Sequence, residues 1–105
     1  MTCSRNEVVL LPVPFSDLSS SKVRPAIIVG REQLHGDLFI VPISSQFPNT
    51  DFPLHDWKSA GLNVPCDVKA QLATVEERLV RKVVGKLTAK DHLTLAARLR
   101  MWLGL

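Results

Sequence analysis

Cysteine and histidine are the side chains best suited to metal and redox chemistry, and this chain has few of them. It has two cysteines, Cys3 and Cys66, and three histidines spread over 105 residues. Two cysteines are too few for a disulfide scaffold, and the spacings form no zinc-ligand motif. We therefore expect no metal site and no cofactor, with Cys66 a small buried residue and Cys3 near a frayed terminus.

Positive charge is concentrated in the C-terminal part of the chain. Residues 1–68 carry five lysines and arginines against seven acids, a net charge of −2, whereas residues 69–105 carry eight against three, a net charge of +5. This imbalance suits an anionic partner such as nucleic acid, but a solvated basic face is equally common. The cations that could line such a surface are Lys69, Arg81, Lys82 and Lys86.

Composition excludes several classes of protein. Hydrophobic residues make up 46% and charged residues 22% of the chain, which is typical of a globular protein and not of a disordered chain or a coiled coil. The length predicts a single domain over residues 1–105. No apolar run approaches the roughly 20 residues that span a membrane, and the first 15 residues lack a signal-peptide layout, so we expect a cytoplasmic protein with no membrane partner.

Runs of β-branched residues predict the strands that must position any site. The predicted strands are residues 7–13, 25–29, 38–43, 67–75 and 79–87. The second and third should pair as a hairpin, and residues 76–78 are typical of one helical turn. A polar loop at 14–23, of a length that is often functional, separates the first two predicted strands. A proline-broken segment at 46–62 separates the third from the fourth. For that segment we expect an exposed, mobile excursion with at most a short strand at 54–57.

The hydrophobic period changes at Thr88, where a helix is predicted to begin. Thr88 and Asp91 are typical of a capping box, in which the Asp91 carboxylate reaches back to the first turn. Arg98 and Arg100 should point outward, opposite an apolar stripe that packs on the sheet. That stripe consists of Leu95, Leu99 and Trp102. Short strands closed by one C-terminal helix predict a mainly β fold, a small, curved, mostly antiparallel barrel.

Three blocks of sequence resemble the PemK/MazF family of toxin endoribonucleases. In residues 12–29 a strand and a polar loop are followed by Arg24-Pro25, which opens the next strand. Residues 41–46 are similar to the family's apolar strand that ends in a hydroxyl pair. Residues 71–75 precede a basic strand and a final helix. The order and spacing of these blocks extend the resemblance over nearly the whole chain.

The resemblance implies a fold, a reaction and partners. The fold is an SH3-like barrel of the PemK/MazF/CcdB type that forms a homodimer. The reaction is metal-independent, sequence-specific cleavage of single-stranded mRNA, in which attack by the 2′-hydroxyl leaves a cyclic phosphate and a 5′-hydroxyl. Growth is inhibited until a cognate antitoxin covers the site with a disordered acidic tail.

The resemblance also assigns roles to individual residues. Arg24 matches the family's catalytic arginine, whose planar, permanent charge suits the negative charge that develops around phosphorus. Ser44 matches the catalytic threonine; its hydroxyl can donate to a phosphate oxygen, although without the methyl group its χ1 is freer. The candidate substrate-binding residues are Phe15, Asp17, Lys22, Ser45, Lys69 and Gln71. His55 and Trp57 are candidates for base recognition, although a tryptophan in such a patch is more often packed.

The sequence departs from the family pattern in its third block. Ala70 and Ala73 occupy positions where the family often has aspartate and arginine. Asp67 could replace the aspartate only if its strand were bulged, because an odd offset on a regular strand points it to the opposite face, and we do not assign it that role. The general base is unassigned, which leaves two alternatives open. One is a barrel that binds RNA or antitoxin without cleavage, and the other is a non-catalytic CcdB-like toxin that binds a protein such as DNA gyrase.

Overall fold

The computed structural model describes residues 2–12 and 22–105 of the chain. Within them, short strands are followed by one C-terminal helix, α1 (Ala89–Leu103). The strands are β1 (Glu7–Pro12), β2 (Val23–Arg31), β3 (Leu38–Ser44), β4 (Phe52–Pro53), β5 (Asp67–Val68), β6 (Ala73–Val75) and β7 (Lys82–Lys86). A 3₁₀ turn at Glu77–Leu79 lies close to the helical turn predicted at 76–78.

All strand pairs are antiparallel, in the order β4-β5-β3-β2-β1-β7, and β6 also pairs with β3. Ile27 of β2 lies opposite Val41 of β3, which confirms the predicted hairpin. Register shifts in the β1–β7 and β2–β3 pairs strengthen the local twist. Among the described residues no pairing joins β7 back to β4, so the sheet is curved rather than closed. The mainly β prediction with a closing helix is confirmed.

The central strands are almost continuously apolar because both faces of the sheet are covered. Val8 and Val9 are both fully buried, yet they belong to different hydrophobic clusters, as the twofold period of a strand requires. The helix-side cluster contains Leu95 and, partly buried, Leu99 and Trp102. The predicted stripe therefore packs on the sheet.

The segment at 46–62 is less exposed than its prolines predict. Phe52, Leu54 and Ala60 are all buried in the helix-side cluster, and the strand there is β4, two residues before the predicted one. A β-carbon on Gly85 would lie 2.2 Å from the Ala60 carbonyl oxygen, and one on Gly61 would lie 2.1 Å from the Val84 oxygen. The excursion thus lies directly against β7, where only glycine leaves room.

Asp91 is fixed to this excursion and does not complete a capping box. The Thr88 hydroxyl accepts from the Asp91 amide at 3.5 Å, so Thr88 is the N-cap as predicted. The buried Asp91 carboxylate instead accepts from the backbone amides of His55 at 2.9 Å and Asp56 at 2.8 Å. Thr88 in turn donates to the Asp56 carboxylate at 2.6 Å. The Asp91 carboxylate therefore binds two distant amides instead of the local amide of a capping box, because the excursion brings those two amides to the start of the helix.

Arg98 is also turned toward the excursion. Its guanidinium lies 3.4 Å from the Asp51 carboxylate and 5.7 Å from the centroid of the Phe52 ring, and the indole of Trp102 donates to the same carboxylate. The prediction that it points outward is therefore wrong for Arg98, while Arg100 is exposed as predicted. Asp51 supplies the acceptor that makes the inward orientation favourable.

The strand predicted at 67–75 is divided into β5 and β6. Val68 lies opposite Ile43, and Ala73 lies opposite Ile40, so five steps on this strand match three on β3. The extra residues form a bulge at positions 69–72. The last predicted strand, 79–87, is shortened to β7 because its first residues follow the 3₁₀ turn.

Cys3 is held in a cluster of polar contacts that we call the Arg31 clasp. Arg31 bonds Glu77 through both nitrogens, at 3.0 and 2.9 Å, and also donates to the carbonyls of Gly36 and Cys3. The Cys3 amide donates to Glu77 at 2.7 Å. Cys3 is only 4% exposed, so the expectation of a frayed position is wrong. Burial, with the Glu77 carboxylate nearby, raises the pKa of its thiol.

Candidate functional site

A cavity of about 360 Å³ opens where the start of β2, the end of β3 and residues 62–69 meet. Its polar lining consists of Arg24, Ser44, Ser45, Gln46, Asn63 and Lys69. Its apolar lining consists of Pro25, Pro42, Ile43, Leu62 and Val64, with the Cys66 thiol beside them. The structure therefore brings four predicted site residues together, from parts of the chain far apart in sequence.

Arg24 lies near the first end of β2, opposite Leu11 of β1. Its side chain is exposed, and no described residue forms a hydrogen bond or an ion pair with its guanidinium. The next residue, Pro25, has no amide hydrogen and a fixed φ, so it gives the strand a rigid start beside the cavity. The guanidinium can therefore offer its donors to an anion in the cavity.

The Ser44 side chain is half-buried at the end of β3, and its oxygen has a defined partner. Its hydroxyl oxygen accepts from the Gln46 amide at 3.0 Å. This contact fixes the oxygen while leaving the hydroxyl hydrogen free to donate. Ser44 lacks the methyl group that would restrict χ1 in a threonine, and the hydrogen bond from the Gln46 amide restricts it instead. Ser45, a candidate substrate-binding residue, is exposed at the cavity.

The charge at the cavity has one sign. Lys69 is half-buried, and its amide donates to the Pro42 carbonyl at 3.0 Å, which holds the residue beside β3. Arg24 and Lys69 are the charged residues among the described lining, and both are cations. Cations on apolar walls attract anions more strongly than they do in open water. The cavity is therefore suited to an anionic group such as a phosphate.

Cys66 contributes a neutral thiol to the lining. It is 4% exposed, which confirms the expected burial, and its sulfur donates to the Val64 carbonyl at 3.4 Å. Burial, with the neighbouring Asp67 carboxylate, raises the pKa of the thiol. At neutral pH the thiol is protonated, so it serves as neither a thiolate nucleophile nor a proton acceptor.

The remaining candidates lie elsewhere. Lys22 and Gln71 are exposed and do not line the cavity, and Phe15 and Asp17 lie outside the described residues. Asp67 lies opposite Ser44 in register, but its carboxylate accepts from the Thr50 hydroxyl at 3.0 Å and does not line the cavity. Asp67 is thus part of the support for the loop at 47–50.

The other basic and aromatic candidates are also outside the cavity. Lys82 and Lys86 are exposed on β7, and Arg81 is exposed just before it. Trp57 packs partly in the helix-side cluster, with the Lys58 amine 5.8 Å from the centroid of its ring. His55 is exposed and does not line the cavity. Within the described ranges no cluster of three or more metal-ligating side chains is present.

Gln46 and Asn63 are cavity residues that sequence reasoning missed as site residues. Gln46 directly follows the serine pair, so its position in the second motif block was an available signal. Asn63 lies just beyond the proline-broken excursion, where no local periodicity indicates which side chains face inward. Its place depends on how the excursion folds back on α1 and β7.

The sequence from residue 4 to residue 103 matches the model of the PemK-like, MazF-like toxin of type II toxin–antitoxin systems. The chain belongs to this family. No curated protein matches its sequence. The family prediction made from the three motif blocks is confirmed, and the match spans the strands, the cavity and all of α1.

Two solved structures share the fold of this family member. A mycobacterial endoribonuclease in complex with its cognate antitoxin has a TM-score of 0.72 and 18% identity, covering 96% of this chain and 92% of that one. The Mycobacterium tuberculosis toxin MazF-mt6 has a TM-score of 0.71 and 22% identity, covering 94% of this chain and 97% of that one. In the part of this toxin that the structure describes, no helix is long and apolar enough to cross a membrane.

Proposed function

We propose that this toxin is a metal-independent endoribonuclease that cleaves single-stranded RNA, including mRNA, in the cavity beside Arg24. The observation that carries the proposal is that Arg24 and Ser44, brought from different strands, line one cavity whose described charged residues are both cations. The family relationship and the mycobacterial endoribonuclease with the same fold support the assignment. RNA is polyanionic, so its phosphates suit this lining.

In the proposed reaction the 2′-oxygen of the substrate attacks the adjacent phosphorus, and the bond from phosphorus to the 5′-oxygen breaks. The products are a 2′,3′-cyclic phosphate and a 5′-hydroxyl. Arg24 stabilises the extra negative charge on the phosphate oxygens, and Ser44 donates to one of them. Lys69 adds a third positive or donor group that holds the phosphate in place. These contacts strengthen as charge develops, which is the condition for lowering the barrier.

Proton transfer is separate from these contacts. One proton leaves the 2′-hydroxyl, and one is taken up by the departing 5′-oxygen. The described lining contains no carboxylate and no imidazole, and the Cys66 thiol is protonated. The described lining therefore supplies positioning and charge stabilisation, and we assign water both as the acceptor of the 2′ proton and as the donor of the proton to the departing 5′-oxygen.

The proposal includes regulation by a partner. An antitoxin with an acidic, disordered tail suits a cavity lined by Arg24 and Lys69, because its carboxylates can occupy the position of the phosphates. The toxin acts as a homodimer in the cytoplasm, and its cleavage of mRNA slows growth until the antitoxin binds.

The decisive experiment is incubation of the purified protein with a long single-stranded RNA in the presence of EDTA. Wild type and Arg24→Ala are compared, with Arg5→Ala as the control, since Arg5 is an exposed arginine in a turn outside the cavity lining. We expect recurrent cuts with cyclic-phosphate ends from wild type and Arg5→Ala, and none from Arg24→Ala. Cuts that persist in Arg24→Ala contradict the mechanism.

Absence of cuts by wild type overturns the nuclease assignment. Binding of the same RNA without cleavage then identifies an inactive RNA-binding barrel. Absence of both RNA binding and RNA cleavage favours the alternative of a protein target, such as the gyrase bound by CcdB-like toxins.

A further inference from the structure

We infer that Gln46 and Asn63 read the base beside the scissile phosphate, and that this base is an adenine. The inference rests on the proposed RNA cleavage and adds the determinant of its sequence preference. Contacts to phosphate position a nucleic acid but carry no sequence information, so Arg24 and Lys69 cannot select a target by holding phosphates. Selection needs groups that contact a base edge.

The two carboxamides are the lining groups with the right chemistry. Each offers a donor and an acceptor in one plane, which a base edge can match with a pair of hydrogen bonds. Both residues are exposed at the cavity, and no described residue forms a hydrogen bond with either side-chain amide. Their hydrogen-bonding capacity is therefore available to a ligand.

Their backbones, in contrast, are held in place. The Gln46 amide donates to the Ser44 hydroxyl at 3.0 Å, which ties this base reader to the residue that holds the phosphate. On either side of Asn63, the Leu62 amide donates to the Trp57 carbonyl at 3.1 Å, and the Val64 carbonyl accepts from the Cys66 thiol at 3.4 Å. A fixed backbone with an unoccupied amide loses little entropy when a base binds.

The size of the cavity restricts what can enter. A volume of about 360 Å³ lies near the lower end of ligand pockets and suits one nucleotide. A paired base keeps its edge inside the helix, where side chains reach it poorly in A-form RNA. The base must therefore be unpaired, and the apolar Leu62 and Val64 flank Asn63 with surfaces on which its ring can pack.

Adenine is the base that best fits these groups. A carboxamide pairs bidentately with N6 and N7 of adenine, whereas guanine is read most often by arginine or lysine and cytosine by a carboxylate. Arg24 and Lys69 are engaged by the phosphate, and no carboxylate lies in the described lining. Guanine and cytosine therefore lack their usual partners here, and on the same edge uracil presents only its O4 acceptor, so a carboxamide makes a single hydrogen bond with it.

The test is to cleave a randomised single-stranded RNA library and to sequence the new ends. Wild type, Gln46→Ala, Asn63→Ala and Asn63→Asp are compared, with Gln33→Ala as a control, since Gln33 is an exposed amide in the turn before β3. We expect one enriched adenine beside the cut for wild type and Gln33→Ala. The enrichment should fall roughly ten- to a hundredfold in Asn63→Ala and Gln46→Ala, and Asn63→Asp should shift it toward cytosine.

A binding measurement separates this inference from the proposed cleavage. Fluorescence anisotropy is recorded with short 2′-deoxy oligonucleotides, which lack the nucleophile and differ only at the base in question. An adenine preference that both alanine variants lose supports the inference even if wild type cleaves no RNA. Enrichment of another base, or an adenine preference that survives in both variants, overturns it while leaving the cleavage proposal intact. Absence of both binding and cleavage overturns both.

Discussion

The two ends of β2 each carry an arginine, and the two side chains differ in their partners. At one end, Arg31 uses both terminal nitrogens on Glu77 and donates to two backbone carbonyls. At the other end, Arg24 is exposed beside the cavity, with no hydrogen bond or ion pair to any described residue. Neither their residue type nor their strand distinguishes the two. Among the residues that the structure describes, a carboxylate, that of Glu77, reaches the guanidinium of Arg31 and none reaches that of Arg24.

One strand thus carries a structural arginine and, in the proposed function, a ligand-binding one. The clasp at Arg31 joins the N-terminal residues, the turn before β3 and the 3₁₀ turn, and thereby fixes one end of β2. The other end then presents Arg24 from a rigid strand, and within residues 2–12 and 22–105 its donors have no partner. An exposed cation loses no hydration in the free protein, and its stabilising effect is realised when an anion binds.

The largest expected effect comes from replacing each arginine by lysine. Arg24→Lys keeps the charge but loses the paired donors, so we expect cleavage to fall on the order of 100-fold, with Tm unchanged. Arg31→Lys should lower Tm by about 5–10 °C, with cleavage per folded molecule retained. Initial cleavage rates and thermal denaturation of both variants measure this. A loss of activity with equal loss of stability in both variants contradicts the comparison.

The second effect concerns the support of the cavity end. Asp91→Ala leaves the partly buried amides of His55 and Asp56 without their acceptor, at about 1–3 kcal/mol for each donor. We expect a loss of roughly 2–5 kcal/mol in the free energy of unfolding, measured by urea denaturation. Asp37→Ala is the control, because Asp37 lies in the turn at the Arg31 end. Equal losses in the two variants would falsify the role of Asp91.

A smaller effect is expected from two glycines at the two ends. A β-carbon at Gly85 meets the Ala60 carbonyl at 2.2 Å, whereas one at Gly30, beside Arg31, meets only the Phe39 ring at 3.6 Å. Gly85→Ala should lower the free energy of unfolding by about 1–3 kcal/mol and displace the cavity wall, while Gly30→Ala should be tolerated. Denaturation and cut-site mapping test this. A Gly85→Ala protein of wild-type stability and preference argues against the close approach.

The smallest effect is a pH dependence at the Arg31 end. The hydrogen bonds from Arg31, then that from the Cys3 amide, lower the pKa of Glu77 from 4.5 to about 2. A carboxylate whose pKa is lowered by folding stabilises the folded state. The stabilisation is complete at a pH above the pKa of the unfolded state, and it is lost as the pH falls toward the pKa of the folded state. We expect the Tm gap between wild type and Glu77→Gln to be constant from pH 7 to 5 and to narrow between 4.5 and 2. A gap that stays constant to pH 2 contradicts the clasp.

The sequence predicts the parts of the fold whose signals are local. β-branched runs indicate β1, β2 and β3, and the Thr88 hydroxyl indicates the start of α1, as the structure has them. The motif blocks also select Arg24 and Ser44, which the structure places in one cavity. Strand alternation and capping depend on neighbours within a few residues, so a single sequence contains them.

The parts that sequence reasoning missed depend on distant partners. Asp91 has a local partner in a capping box and a distant one in the excursion, and nothing near it in sequence indicates which wins. Arg31 and Cys3 acquire their roles only when Glu77 arrives from the 3₁₀ turn. Asn63 enters the cavity because glycines at 61 and 85 allow two backbones to meet, a contact with no periodic signature.

Two parts of the cavity wall are held by different elements of the fold. Residues 62–66 are carried by the excursion, whose anchors are Asp91 on α1 and Gly85 on β7, whereas Arg24 and Ser44 are carried by β2 and β3. Asn63, one of the two proposed base readers, is therefore supported separately from Arg24 and Ser44, whereas Gln46 is bonded to Ser44. In the proposed function, a library confined to positions 62–65 can therefore be screened for new RNA target sequences while Arg24 and Ser44 stay unaltered.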